Sequence, residues 1–138
     1  MFYKWYVIER ICEHLGDKKL SDLARKLNEK LSEIYSGIEK EKDLKEFEER
    51  ENALFYFHRT ALRLDVSDRE KRLYLYEILS DLTTDASLCI ACYIHNSKCD
   101  ECLLAKEDGD CNSEKSLFGQ FYNLLERRIL TLREEFIE

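Results

Sequence analysis

Apolar residues recur along this chain at spacings of three and four, the period that puts them on one face of an α-helix. The clearest run is residues 18 to 38. Leu20, Leu23, Ala24, Leu27, Leu31, Ile34, Tyr35 and Ile38 form its stripe, and Lys19, Arg25, Lys26, Glu29, Lys30 and Glu33 its opposite face. Residues 3 to 14 predict a shorter helix, with Tyr3, Val7, Ile8, Ile11 and Cys12 near one face and Gly16 placed as its C-terminal glycine. The stretch 39 to 53 is mostly charged, and a break is expected near Gly37. Leu44, Phe47, Leu54, Phe55, His58, Ala61 and Leu62 then restore the stripe through residue 64. Ser67-Asp68-Arg69-Glu70 reads as a capping box with Ser67 as N-cap. It opens a helix to about residue 86 that buries Leu75, Ile78, Leu79 and Leu82. A last helix starts near Ser113 or Ser116 and buries Leu117, Phe121, Leu124, Leu125, Ile129, Leu132 and Phe136. No alternating strand pattern competes. The expected fold is all-α: a helical bundle of about five helices in one domain, 1–138, with a cysteine-rich connection at 89–111 before the last helix.

Composition narrows the classes. A chain of 138 residues without proline and with four glycines is a poor candidate for an all-β sandwich, a Gly-rich phosphate loop or a long flexible linker. Twenty-two basic against 29 acidic residues leave a net charge of -7. That makes generic binding to nucleic acid or to an anionic membrane unfavourable, because phosphate affinity needs clustered Lys and Arg. The N-terminal residues lack an apolar signal core, and no run approaches a membrane span, so the expected location is the cytoplasm. Phe2, Tyr3, Trp5 and Tyr6 crowd one short helix; they either pack on the bundle or form the seam of a homodimer.

The chemistry-bearing segment is C-x2-C-x6-C-x2-C-x8-C: Cys89, Cys92, Cys99, Cys102 and Cys111, five of six cysteines in 23 residues. Two C-x2-C pairs supply the four thiolates that a tetrahedral zinc needs. The five cysteines are therefore the candidate metal ligands. Two disulfides with one thiol left over, an iron–sulfur cluster, and reduced thiols packed as small hydrophobes are the alternatives. His95 can replace one thiolate. Residues 87 to 113 carry few large apolar groups, too few to offset a backbone ordering cost of about 1–2 kcal/mol per residue. A cross-link is the available remedy, worth on the order of 10 kcal/mol for zinc and about 3 kcal/mol for a disulfide.

The run Cys99-Asp100-Glu101-Cys102-Leu103-Leu104, then Gly109-Asp110-Cys111 and Ser116-Leu117-Phe118, resembles small prokaryotic and phage proteins with two C-x2-C pairs and a following Gly-x-Cys. The likeness covers roughly 30 residues, brings no activity with it, and departs at Leu103, where a proline often stands. Two further patterns point elsewhere. Leu20 to Asn28 with Ile34 has a faint helix-turn-helix spacing and a local basic surplus, which implies a DNA-binding regulator. Glu46, Glu48, Glu49 and Glu51 with Glu77 and Asp81 suggest a Mg2+-dependent nucleotide pyrophosphohydrolase, although the spacing matches poorly. His58 on its apolar stripe reads as a satisfied core or interface histidine, and Cys12 as a buried small hydrophobe. No acid, base or nucleophile set converges in the sequence. The primary expectation is a non-enzymatic structural or interaction protein, a homodimer or the binder of another protein, stapled by its cysteine site.

Overall fold

The computed structural model describes residues 2–35, 45–85, 89–91, 95, 102–109, 111 and 113–137. The fold is an all-α helical bundle, with no strand among these residues. Its helices are α1 (Tyr3–His14), α2 (Lys18–Tyr35), α3 (Lys45–Asn52), α4 (Leu54–Ala61), α5 (Arg69–Thr84), α6 (Leu103–Asp108) and α7 (Leu117–Ile137). The helix expected over 44 to 64 is interrupted only at Ala53, whose φ of -61° and ψ of -21° remain helical. The short α6 was not expected. The break anticipated near Gly37, and the end expected at residue 86, lie outside the described residues.

Helix α1 packs most extensively on α2, α5 on α7, and α2 on α7. The α2 stripe explains why: Leu20, Ala24, Leu27, Leu31 and Tyr35 are all fully buried, while Leu23 and Ile34 are half-buried at its margins. Phe2 and Trp5 go into the core, where the Trp5 ring stands edge-on to Phe118 and Phe121 of α7. Tyr3 and Tyr6, by contrast, stay on the α4 side. On α7, Phe121, Leu125 and Ile129 are buried, but Phe136 is 44% exposed, against expectation. It lies in the last turn, next to Glu135, which faces Arg69 at the start of α5.

The α1–α2 corner is a Schellman turn. Gly16 takes a φ of 74°, a left-handed conformation that costs glycine nothing. Its N–H donates to the Glu13 carbonyl at 2.9 Å and the Asp17 N–H to Cys12 at 3.0 Å. Asp17 then caps α2, accepting from the Leu20 N–H at 3.3 Å. The α5 cap corrects the sequence expectation. Asp68, not Ser67, is the N-cap: its carboxylate accepts from the N–H groups of Glu70 and Lys71. Ser67 turns back to Asp65, donating through both N–H and hydroxyl to Oδ1 at 3.0 and 2.6 Å. Helix α7 starts at Ser116, whose Oγ accepts from the Gly119 N–H at 2.9 Å. A side chain at Gly119 would collide with the Ser113 carbonyl.

Candidate functional site

Helix α6 begins at Cys102 and packs against α2. That contact brings the cysteine block to Tyr35, the last residue of α2, which is 0% exposed. The Tyr35 hydroxyl accepts from the Leu104 N–H at 3.3 Å, lies 3.2 Å from His95 Nε2 and is 3.9 Å from Cys102 Sγ. His95 Nε2 also accepts from the Leu103 N–H, at 3.3 Å. An accepting Nε2 assigns the neutral ring proton to Nδ1. Tyr35 then donates its own proton to His95, and its oxygen lone pairs face the Leu104 amide and the Cys102 thiol. The ring planes of Tyr35 and His95 are tilted by 59°, with centroids 5.8 Å apart.

This arrangement holds Tyr35 protonated. Burial raises its pKa well above the usual phenol value, and the thiols of Cys102 and Cys89 push it further, against the lowering effect of the Leu104 amide. Cys89 is therefore within electrostatic reach of the same hydroxyl. Cys102 and His95 meet at the end of α2, and Cys89 acts on the hydroxyl only as the smallest of its electrostatic influences. Cys111 is half-buried after the short α6. Cys92 and Cys99 lie outside the described residues, so of the five candidate ligands three have a described position. No group of three or more His, Cys, Asp or Glu is arranged to hold a metal among the described residues. With Nε2 taken by these bonds and the proton on Nδ1, His95 offers no lone pair to a metal in this arrangement.

The other sequence candidates resolve differently. Residues 18 to 35 are one uninterrupted helix, so the turn that a helix-turn-helix at 18–38 requires within Leu20 to Asn28 is not there. The acidic residues do not converge. Glu51 is buried and accepts from the Lys4 N–H at 3.0 Å, capping α1 from a distance. Glu77 pairs instead with Arg133 of α7 at 3.1 Å, while Glu48, Glu49 and Asp81 are exposed. The Glu46 side chain lies outside the description. His58 is half-buried, but its Nε2 has no hydrogen-bond partner, which corrects the expectation of a satisfied histidine. Desolvation lowers its pKa, with the Arg10 charge acting in the same direction. Cys12 is a buried free thiol whose pKa is raised by burial and then by Asp17, in keeping with a packing role.

Several residues that position the site escaped the sequence reading. Asn28 accepts from the Phe2 N–H at 2.9 Å. Lys4, only 1% exposed, donates from Nζ to the carbonyls of Thr83 and Asp85, each at 3.2 Å, at the C-terminal end of α5. A cation there complements the helix dipole. Asp17, also passed over, both caps α2 and accepts from Tyr76 Oη and Arg128 Nε, each at 2.9 Å. No protein-family model, curated protein or solved structure matches the chain. No described helix is long and apolar enough to cross a membrane.

Proposed function

We propose that this is a non-enzymatic structural or interaction protein, acting as a homodimer, in which a zinc held by the cysteine block staples the connection before α7 to the end of α2. The observation that carries the reading is the meeting at Tyr35, where the Cys102 thiol, His95 and the Leu104 amide share one buried hydroxyl. A cross-link in the block is thereby transmitted to α2 rather than left on a loose loop. The donor chemistry suits a borderline-soft ion: the block supplies two C-x2-C pairs and a further cysteine, all sulfur donors. Zinc would supply a closed structural site, with ligands drawn from Cys89, Cys92, Cys99, Cys102 and Cys111.

The described carboxylates support a structural rather than a catalytic role. Asp17, Glu51 and Asp68 serve as caps or tie helices together. The dimer part of the proposal rests on an aromatic surface. Phe55 is 48% and Tyr56 75% exposed beside Tyr3, Tyr6 and the unpartnered His58 nitrogen. Elemental analysis with a free-thiol count tests the staple. One equivalent of zinc is expected. Iron in its place selects a cluster, and no metal with few free thiols selects disulfides; either result removes the zinc reading. The double variant Cys99→Ser/Cys102→Ser should lose hydrogen-exchange protection across residues 87 to 113 while α2 stays protected. Unchanged protection across the block would make the cysteines packing residues.

A further inference from the structure

The corner between α1 and α2 carries a second feature, independent of the cysteine site. A cavity of about 370 Å3 opens there, lined by Gly16, Lys18, Lys19, Arg72, Tyr76 and Arg128 together with Leu15 and Asp17. Four of these side chains are cationic. Asp17 is the one carboxylate among the lining residues, and its charge is already matched: Oδ2 takes Arg128 Nε and Tyr76 Oη, and Oδ1 takes the Leu20 amide. Lys18, Lys19 and Arg72 remain as the surplus.

Of these three, Arg72 is held in place. Arg72 Nη1 donates to the carbonyls of Leu15 and Val66 at 3.1 and 3.4 Å. Both acceptors are neutral, so the guanidinium keeps its full charge, and Nε and Nη2 remain as donors. Arg128 likewise commits Nε to Asp17, and its two terminal nitrogens remain. The Lys18 and Lys19 amides are the first two of α2. Such amides have no acceptor within their own helix, and the positive end of an 18-residue helix adds to the field. Gly16 leaves the mouth open, since nothing lies within 4 Å of where its side chain would be.

We propose that this corner is a binding site for a small phosphate-bearing anion. Guanidinium and ammonium groups from three helices, with helix-start amides, match the several oxygens of a phosphoryl group. A discrete anion fits better than a nucleic-acid backbone. The basic surplus is confined to the corner, while the whole chain carries -7, so an extended polyanion would meet repulsion beyond the cavity.

Sodium pyrophosphate is the probe, titrated into the full chain and followed by calorimetry and by amide NMR shifts. Saturable one-site binding is expected, with the largest shifts at Lys18, Lys19 and Arg72. Lys18→Gln/Lys19→Gln should weaken it by about tenfold or more and leave the melting temperature without ligand unchanged, because neither ammonium makes a bond within the described fold. Absence of saturable binding, or equal binding by the double variant, would overturn the site. An equal response to sodium sulfate at matched ionic strength would reduce it to charge screening. Displacement of pyrophosphate by duplex DNA at lower concentration would overturn the choice of a discrete anion.

Discussion

Replacing Tyr35 with Phe removes one oxygen that three groups share. The buried Leu104 N–H and Cys102 thiol lose that partner, while the half-buried His95 Nε2 keeps the Leu103 N–H. Leaving a buried amide unsatisfied costs about 1–3 kcal/mol, so urea denaturation of Tyr35→Phe should show a loss in that range. The loss should appear locally as faster hydrogen exchange at Leu103 and Leu104. Alkaline pH makes a second residue-scale test. Tyr35 and Tyr76 both have raised pKa values, Tyr35 chiefly through burial and then its thiol neighbours, Tyr76 through burial and then Asp17. Their neutral forms are favoured in the folded chain, so the stability they contribute is complete below pH 10, the ordinary phenol value. Above it the unfolded chain ionises first. Stability should then fall by up to about 1.4 kcal/mol per pH unit for each tyrosine. Melting curves from pH 9 to 11 check this, and Tyr35→Phe should flatten the slope. Neither role was legible beforehand. Tyr35 looked like one more member of the α2 stripe, and its partners lie 60 or more positions away. The same holds for Lys4, whose acceptors at Thr83 and Asp85 leave no trace in the aromatic segment around it.

At the scale of elements, local signals were the ones that could be read. The period of α2, the glycine at the end of α1 and the serine opening α7 each act through residues a few positions apart, so the sequence carries them directly. The α5 cap shows where such reading fails. Ser67 and Asp68 are both good caps by type, and a capping box favours the serine. The structure instead uses Asp65 to hold Ser67 in a turn, and that frees Asp68 to take the cap position with an extended ψ of 121°. Held in that turn, Ser67 sits one position before the N-cap, and the helix amides of Glu70 and Lys71 bond to Asp68. Asp68→Ala should therefore cost about 1 kcal/mol in thermal unfolding. Ser67→Ala should cost distinctly less, since its bonds lie in an exposed turn. Equal losses would return the cap to Ser67. The cysteine spacing marks a unit in the sequence, of which Cys92 and Cys99 lie outside the described residues. The contact of Cys102 with Tyr35 was not legible, because it depends on how α6 docks.

Among the described residues, the aromatic face of α1 and α4 is a surface that burial within a single chain does not explain. The aromatic residues of α1 divide: Phe2 and Trp5 enter the core, while Tyr3 and Tyr6 join Asn52, Phe55, Tyr56 and His58 around an open groove of about 590 Å3. Large aromatics left on a surface are the residue types that dominate protein interfaces. Tyr3 and Tyr6 stand edge-on to the His58 ring, with centroids 6.3 and 5.8 Å away. That covers the imidazole with apolar edges and lowers its pKa. A twofold pairing would place the same face against itself and bury Tyr56 and Phe55, with the Arg59 guanidinium over the Phe55 ring at its edge. Light scattering at tens of micromolar should return twice the 16.5 kDa chain mass. Phe55→Ser/Tyr56→Ser should return the single mass with helix content intact, as both side chains are exposed in the isolated chain. Acid should act in the same direction. With the folded pKa of His58 below its ordinary 6.5, the stability it contributes is complete above that pH. It is lost as the pH falls, because the unfolded chain takes up the proton first. A pairing that covers the groove would desolvate His58 further, so the dimer should also weaken between about pH 6.5 and 5, and His58→Phe should remove that dependence. A native chain that scatters as a monomer at every pH would rule out the pairing and leave the groove for a different protein.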